Sequence, residues 1–300
     1  MDVSENQPTD FQLIPHRGFN LISGIHSTET LEQLEKCEIR DTDIFVITYP
    51  KSGTIWMQQI MTLIEAKGDL NATENIPTSM RIPWIELKGS MDEFASAPSP
   101  RLRVSHLPYY LVPQALRQNK GKVIYVARNP KDILVSYYHF HMYAEMLETP
   151  KDFEEFFERF LEGRVFGNSW FDHIQGWYGH KDEMNFLYLT YEEMKQDIKG
   201  AVLKICTFIG KQLNDEQIEN VVEHCTFNNM KKNKNANYEA VPDNLLNQKK
   251  GKFMRKGIIG DWKNHFTVAQ NERFDKFFHE RMKDMPLHFM WDAQDCATTA

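Results

Sequence analysis

The chain has 300 residues, enough to bury a sizeable core as one large domain or two small ones, with 41% hydrophobic and 26% charged residues. Its net charge of −7 excludes a globally basic nucleic-acid binder and a surface built to dock on anionic lipid, so an anionic ligand has to be drawn by a local cluster of positive charge. No apolar stretch approaches the roughly 18–20 residues that span a bilayer, and four widely spaced cysteines (Cys37, Cys206, Cys225 and Cys296) suit reduced thiols rather than a disulfide framework or a zinc site.

In chain order, the N-terminus MDVSENQPTD is polar and acidic, without the features of a secretory or mitochondrial leader. The expected location is therefore cytoplasmic. Residues to about 18 are expected to be a flexible terminus, as are 292–300. DIFVITYP (43–50) is β-branched and almost wholly apolar, the pattern of a strand covered on both faces. A helical pattern, IWMQQIMTLIEA, follows it. RLRVSHLP (101–108) is more polar and suits a strand nearer a sheet edge. KVIYVARNP (122–130) repeats the buried-strand pattern and leads into PKDILVSYYHFHMYAEML, a helix with proline in its first turn. DFEEFFERFLEG is the next amphipathic segment, and MNFLYLTY (184–191) is the last strand. GAVLKICTFIG, NDEQIENVVEHC and NERFDKFFHERMKDM complete the helices, several opening on Asn or Asp or closing on Gly. Strand alternating with helix predicts an α/β fold, a single domain over 1–300 with a central parallel sheet flanked by helices.

One stretch stands apart. Residues 231–256 hold eight Lys or Arg against two acids, Glu239 and Asp243. A solvated surface loop is the ordinary meaning of such a run. In an acidic protein, a long basic loop inside a compact domain is read instead as a mobile lid that closes on an anion.

Open parallel sheets bind ligands beyond the carboxyl ends of their strands. Those ends carry Tyr49-Pro50-Lys51-Ser52-Gly53-Thr54, then Ser105-His106, then Arg128-Asn129-Pro130-Lys131, then Thr190-Tyr191. In the first loop Gly53 lets backbone N–H groups turn toward an anion at a helix N-terminus, with Lys51 as a mobile charge and the Ser52 and Thr54 hydroxyls as donors. The alternative is a tight turn whose Ser and Thr only cap the helix. Arg128 can hold a phosphate bidentately, with Ser136 two turns along to assist; a surface ion pair is the alternative. A second anion site beside the first means a ligand with two separated phosphate-like groups. His106 is the histidine placed at this edge, where an imidazole can take a proton from a nucleophile. His139 and His141 stand two apart on a helix and point in different directions, which is not metal-like, and no acidic set for magnesium is evident.

Four stretches in order carry a family resemblance. YPKSGTIW resembles the 5′-phosphosulfate-binding loop of the cytosolic sulfotransferases, ARNPKDILVSYYHF their 3′-phosphate-binding segment, NNMKKN the segment before their mobile loop, and RKGIIGDWKNHF (255–266) their C-terminal signature. The likeness runs from about residue 19 to about residue 290. It implies 3′-phosphoadenosine 5′-phosphosulfate (PAPS) as donor, PAP as product, no metal, and an acceptor hydroxyl or amine. Carried over position by position, Lys51, Ser52, Gly53, Thr54, Ile55 and Trp56 would hold the phosphosulfate and stack on the adenine. Arg128 and Ser136 would grip the 3′-phosphate, with Phe253, Met254, Arg255, Lys256 and Gly257 closing over it. Tyr191, Cys225, Thr226, Phe227 and Met230 would form the adenosine pocket. His106 would be the base for in-line transfer, with Lys51 assisting the leaving phosphate. Lys263, Thr267, Val268 and Glu272 match the family's dimer motif and imply a homodimer. Two departures stand out: Val104 replaces the lysine that many phenol-sulfating members carry, and Cys225 replaces a common threonine. Trp84, Phe140 and Phe19 are expected to line the acceptor pocket. Phenols, steroid-like alcohols and amines all stay open as acceptors. An ATP-dependent kinase and a catalytically silent nucleotide-binding protein are the competing readings.

Overall fold

A computed structural model describes residues 11–294. Of the two termini expected to be flexible, 1–10 and 295–300 lie outside those residues, as does Cys296. The expectation does not hold through residue 18, because Leu13–His16 (β1) pairs antiparallel with Phe19–Ile22 (β2). The two-residue turn between them, Arg17 and Gly18, has φ of 50° and 82°. Positive φ at both positions is the turn geometry that matches strand twist, and arginine in place of the usual Asn or Asp hid it from a sequence reading.

The chain continues through helix α1 (Thr28–Lys36), strand β3 (Ile44–Thr48) and helix α2 (Thr54–Glu65). Strands β4 (Leu102–Ser105), β5 (Lys122–Ala127) and β6 (Phe186–Thr190) complete a parallel sheet in the order β4-β3-β5-β6. The polar strand predicted near an edge is at an edge. Helix α3 (Pro130–His141) follows β5, then α4 (Phe153–Leu161) and α5 (Trp170–Gly179). After β6 come α6 (Tyr191–Gln196), α7 (Ile198–Ile209), α8 (Asp215–His224), α9 (Phe227–Lys232) and α10 (Val268–Met282). No helix among the described residues is long and apolar enough to cross a membrane.

The period of two along each strand divides the core into two layers. Phe45 and Ile47 of β3, with Val123, Tyr125 and Ala127 of β5, pack under α3, α4, α5 and the hairpin. Ile44 and Val46, with Ile124 and Val126, pack under α2, α7 and α8. Both faces are covered, which is why these strands read as continuous apolar runs. Helix α3 stops at His141, short of the predicted 147, because Ala144 instead forms a bridge to Leu246 of the long loop.

The edge strand's arginines are buried. Arg101 donates from Nε to Asp43 Oδ1 at 2.9 Å, from Nη2 to the Glu38 carbonyl at 2.9 Å, and from Nη1 to the Phe94 carbonyl at 3.1 Å. Its guanidinium also lies 3.9 Å from the Phe94 ring centre. Asp43, fully buried, accepts from the Arg40 backbone N–H at 2.7 Å. Removing one partner of a buried, hydrogen-bonded pair leaves the other charge uncompensated. Asp43→Ala is therefore expected to lower the unfolding free energy by roughly 3–5 kcal/mol in urea melts; a loss below about 1 kcal/mol, the range of an exposed pair, would contradict a structural role for this clamp.

Candidate active site

The loop between β3 and α2 is shaped by positive φ at Lys51 (70°) and Gly53 (103°). Helix α2 has no side-chain cap. Its first helical bond runs from Met57 N–H to the Gly53 carbonyl at 3.0 Å, so the N–H groups of Gly53, Thr54, Ile55 and Trp56 fall before the ladder begins. The two hydroxyls that might have capped it do something else. Thr54 Oγ1 pairs with Thr48 Oγ1 at 2.6 Å, and Ser52 Oγ is buried with no partner. An uncapped helix N-terminus beside an orphaned buried hydroxyl is arranged for an anion rather than for itself.

The positive charge around it is equally uncommitted. Lys51 Nζ lies 4.1 Å from the Phe140 ring centre and 4.0 Å from that of Phe253. Burial, with Arg128 and Arg255 adding repulsion, pushes its pKa down to about 7. Arg128, at the end of β5, donates from Nη1 to the Lys51 carbonyl at 2.9 Å and stacks 4.3 Å from the Tyr191 ring centre. Its Nε is buried without a partner. Arg255 and Lys256 differ, since both pair with the buried Asp261, at 2.7 and 2.6 Å. Asp132 accepts from the N–H groups of Gly260 at 2.7 Å and Trp262 at 3.0 Å, tying this segment to the start of α3. Gly257 is a packing requirement, because a Cβ there would fall 2.2 Å from the Phe227 ring.

His106 follows β4. Its Nδ1 lies 2.7 Å from the Thr48 carbonyl, which can only accept, so Nδ1 carries the hydrogen and Nε2 keeps its lone pair. The backbone N–H of His106 donates to Glu86 Oε1 at 2.8 Å, and Trp84 lies 4.5 Å from the imidazole, centre to centre. His173 Nε2 donates to the His106 carbonyl at 3.2 Å. Burial holds the imidazole pKa down to about 3, so the ring is neutral at physiological pH. Burial likewise pushes Glu86 up to about 7.

These groups face one cavity of about 480 Å³. Lys51, His106, Arg128 and Tyr191, read from four different strand ends, all line it, as do Gly53, Thr54, Ile55, Trp56, Trp84, Ser136 and Phe140. So do Cys225, Phe227, Met230, Phe253, Met254, Arg255, Lys256 and Gly257. The Cys225 carbonyl accepts from Trp56 Nε1 at 2.8 Å, and the Trp56 ring stands edge-on to Tyr191. Three expected residues sit elsewhere. Ser52 is buried behind the loop, and Thr226 is exposed, where it caps α9 through the Asn229 N–H. Phe19 belongs to the core, packed edge-on against Phe166 at 5.9 Å, and Phe166 is the aromatic wall in its place.

The long loop also departs from its charge pattern. Tyr238, Val241, Pro242, Leu245, Leu246 and Phe253 face the cavity. Lys250 pairs with Glu145 at 2.7 Å and Lys252 with Glu239 at 3.1 Å, both on the outside. The loop is thus a basic-outside, apolar-inside cover, and only Arg255 and Lys256 present its charge to the cavity. Tyr238 anchors it, donating to Gln58 Oε1 of α2 at 2.9 Å and accepting from Trp84 Nε1 at 3.2 Å. Sequence reasoning missed Tyr238, Phe166, His26 and Glu86, none of which stands at a strand end or in a motif with a chemical signature.

Comparison with known proteins adds the lineage. A family model for the sulfotransferase domain matches residues 41–286. The chain is 47% identical to an amine sulfotransferase of Oryctolagus cuniculus, over 96% of this chain and 96% of that one. It is 44% identical to sulfotransferase 2B1 of Homo sapiens, over 97% of this chain and 80% of the other. Among solved structures it resembles mouse sulfotransferase SULT7A1 complexed with PAP, at TM-score 0.77 and 33% identity over 92% of this chain and 96% of that one. It also resembles retinol dehydratase in complex with androsterone and PAP, at TM-score 0.80 and 25% identity over 94% and 92%.

Proposed function

The chain belongs to the sulfotransferase family, and on that premise we propose how its residues divide the work of PAPS-dependent sulfuryl transfer to a small acceptor. The uncapped N-terminus of α2, flanked by Lys51 and Arg128, neither of which forms an ion pair among the described residues, carries the reading. Lys51 and the first N–H groups of α2 would hold the phosphosulfate. Arg128, Ser136, Arg255 and Lys256 would hold the 3′-phosphate, and Trp56, Tyr191, Phe227 and Met230 the adenosine. The bound donor supplies an activated sulfuryl group on a phosphosulfate anhydride, and PAP is the product released.

His106 Nε2 would accept the proton of the acceptor hydroxyl or amine as that atom attacks in line. The Thr48 carbonyl fixes the tautomer that makes this possible. Lys51 would neutralise charge growing on the leaving phosphate, where a fixed cation inside a dry cavity is worth most. Walls made of Trp84, Phe140, Phe166 and Leu246 favour a lipophilic acceptor. The cover formed by 231–256 would open to admit it. A cytosolic setting goes with this reading, in keeping with the free thiols Cys37, Cys206 and Cys225.

We further propose a homodimer through the motif at the start of α10. Thr267 is occupied in capping that helix, through Gln270 N–H at 3.2 Å, and Lys263 pairs with Asp292. Val268 is 77% exposed, a surface that a second copy would cover.

Three measurements test these assignments. In calorimetric titrations wild type is expected to bind PAP well ahead of ATP; His106→Ala should keep that affinity while losing roughly a hundredfold or more of its turnover with labelled donor. Arg128→Ala should instead weaken PAP binding, and a fully active His106→Ala would remove the base assignment. Because an arriving anion raises the pKa of Lys51 above 7, binding must take up a proton where the free amine is partly neutral. PAP affinity should therefore fall as pH rises from 7 to 9, with proton uptake seen in buffers of different ionisation enthalpy; a flat profile would mean that Lys51 is charged throughout. In sedimentation equilibrium, Val268→Glu should convert a dimer to a monomer with PAP affinity unchanged, and a wild-type monomer at micromolar concentration would end the dimer proposal.

A further inference from the structure

His26 lies outside every motif of the chain, yet it lines the cavity and is 8% exposed. A bridge to Leu87 and the bond from Lys88 N–H to the Ile25 carbonyl at 2.9 Å fix its backbone. Its ring stacks on Phe166, with centres 5.1 Å apart and planes 28° apart, while His106 meets the same phenyl ring edge-on at 5.9 Å. One phenylalanine thus separates two histidines.

Their tautomers are opposite. Nδ1 of His26 lies 3.1 Å from the Ile22 backbone nitrogen and 3.3 Å from the Ile22 carbonyl. That carbonyl already accepts from the N–H groups of Ile25 at 3.3 Å and His26 at 3.0 Å. The Ile22 N–H is then the natural partner of Nδ1, which accepts and leaves the hydrogen on Nε2. Burial holds this ring neutral too, down to about 4. Of the polar groups nearby, Tyr137 donates to the Phe166 carbonyl at 2.8 Å and Glu86 Oε1 serves the His106 N–H, while Glu86 Oε2 is buried without a partner and forms no hydrogen bond to His26. No described residue hydrogen-bonds Nε2 of His26.

Resting on the sulfotransferase reading of this cavity, we propose that His26 Nε2–H is a specificity-determining donor of the acceptor subsite. Favoured acceptors then carry a second oxygen, such as a ketone, ether or hydroxyl, on the end remote from the group that receives the sulfuryl. Where a buried donor waits, the analogue lacking the oxygen leaves it unpaired and binds less well.

The test uses the full chain loaded with PAP and two matched pairs: para-hydroxybiphenyl with its acetyl derivative on the far ring, and beta-naphthol with its acetyl derivative on the far ring. Binding is followed by calorimetry. Wild type should bind the acetyl member of at least one pair roughly five- to tenfold more tightly, the size of one neutral hydrogen bond. His26→Phe, which keeps the ring against Phe166, should abolish that difference by weakening the acetyl member alone; His26→Gln should retain part of it. Unchanged PAP affinity certifies that each variant is folded, and His26→Gln carries the comparison if His26→Phe is not. Equal binding within both pairs by wild type, or equal weakening of both members by His26→Phe, overturns the proposal. Discrimination that persists while none of the four compounds is sulfated overturns the assigned reaction and leaves the subsite standing.

Discussion

The site depends on positive charge that the protein leaves without a direct ion pair. In a chain of net charge −7, Lys51 and Arg128 are steadied by aromatic faces and a backbone carbonyl rather than by ion pairs, although the buried Asp132 and Glu192 act on Arg128 through their charge. Such contacts orient a cation without cancelling its field, so the attraction is held over for an incoming anion. The cost shows in the low pKa of Lys51. Asp261 is the exception: burial raises its pKa, yet the hydrogen bonds and charges of Lys256, Asn264 and Arg255 outweigh that and hold it well below the usual carboxylate range. Its two cations are pre-positioned as a pair on a segment otherwise held by backbone bonds to Asp132.

Histidine chemistry follows from where hydrogen bonds leave the proton. His106 gives its Nδ1–H to a carbonyl and keeps a lone pair at Nε2. His173 does the reverse, with Nδ1 accepting from the Tyr125 hydroxyl at 2.9 Å and Nε2 donating to the His106 carbonyl. A pKa near 3 makes His106 a weak base on its own. The same burial that lowers it also amplifies any negative charge placed beside it, since screening by water is removed. On the proposed reading, an anion held next to Lys51 would raise the proton affinity of a ring that burial otherwise keeps neutral.

Much of this was legible in the sequence because it lies at the ends of strands. A buried parallel strand announces itself as an apolar run, and the residue where the run stops is necessarily at the carboxyl edge. That is how Lys51, His106, Arg128 and Tyr191 came together without coordinates. The hairpin Leu13–Ile22 was invisible because its turn uses arginine at positive φ. Phe19 was misplaced for a related reason: alternation along a short strand decides which face a residue takes, and with no strand in view there was no face to assign. Phe166, Glu86 and Tyr238 sit in loops, where tertiary packing alone determines what reaches the cavity.

The long loop shows why charge composition is a poor guide to which way a segment faces. Its lysines outnumber its acids, yet those before Arg255 are exposed, and Lys250 and Lys252 pair with Glu145 and Glu239. Turning them inward would bury several ammonium groups against the aromatic wall at a desolvation cost that only a highly charged ligand could offset. Facing Tyr238, Leu246 and Phe253 inward instead lets one loop serve both ends of the cavity. Its apolar middle lines one part of the cavity, which the proposed reading gives to the acceptor, and its last residues bring two cations to it. Phe253 joins the two functions, because its ring forms part of the apolar wall and also lies over the Lys51 ammonium. If the cover opens as proposed, Lys51 would lose the Phe253 face and keep that of Phe140 on α3, so the packing of the cover and the placement of the cation are linked.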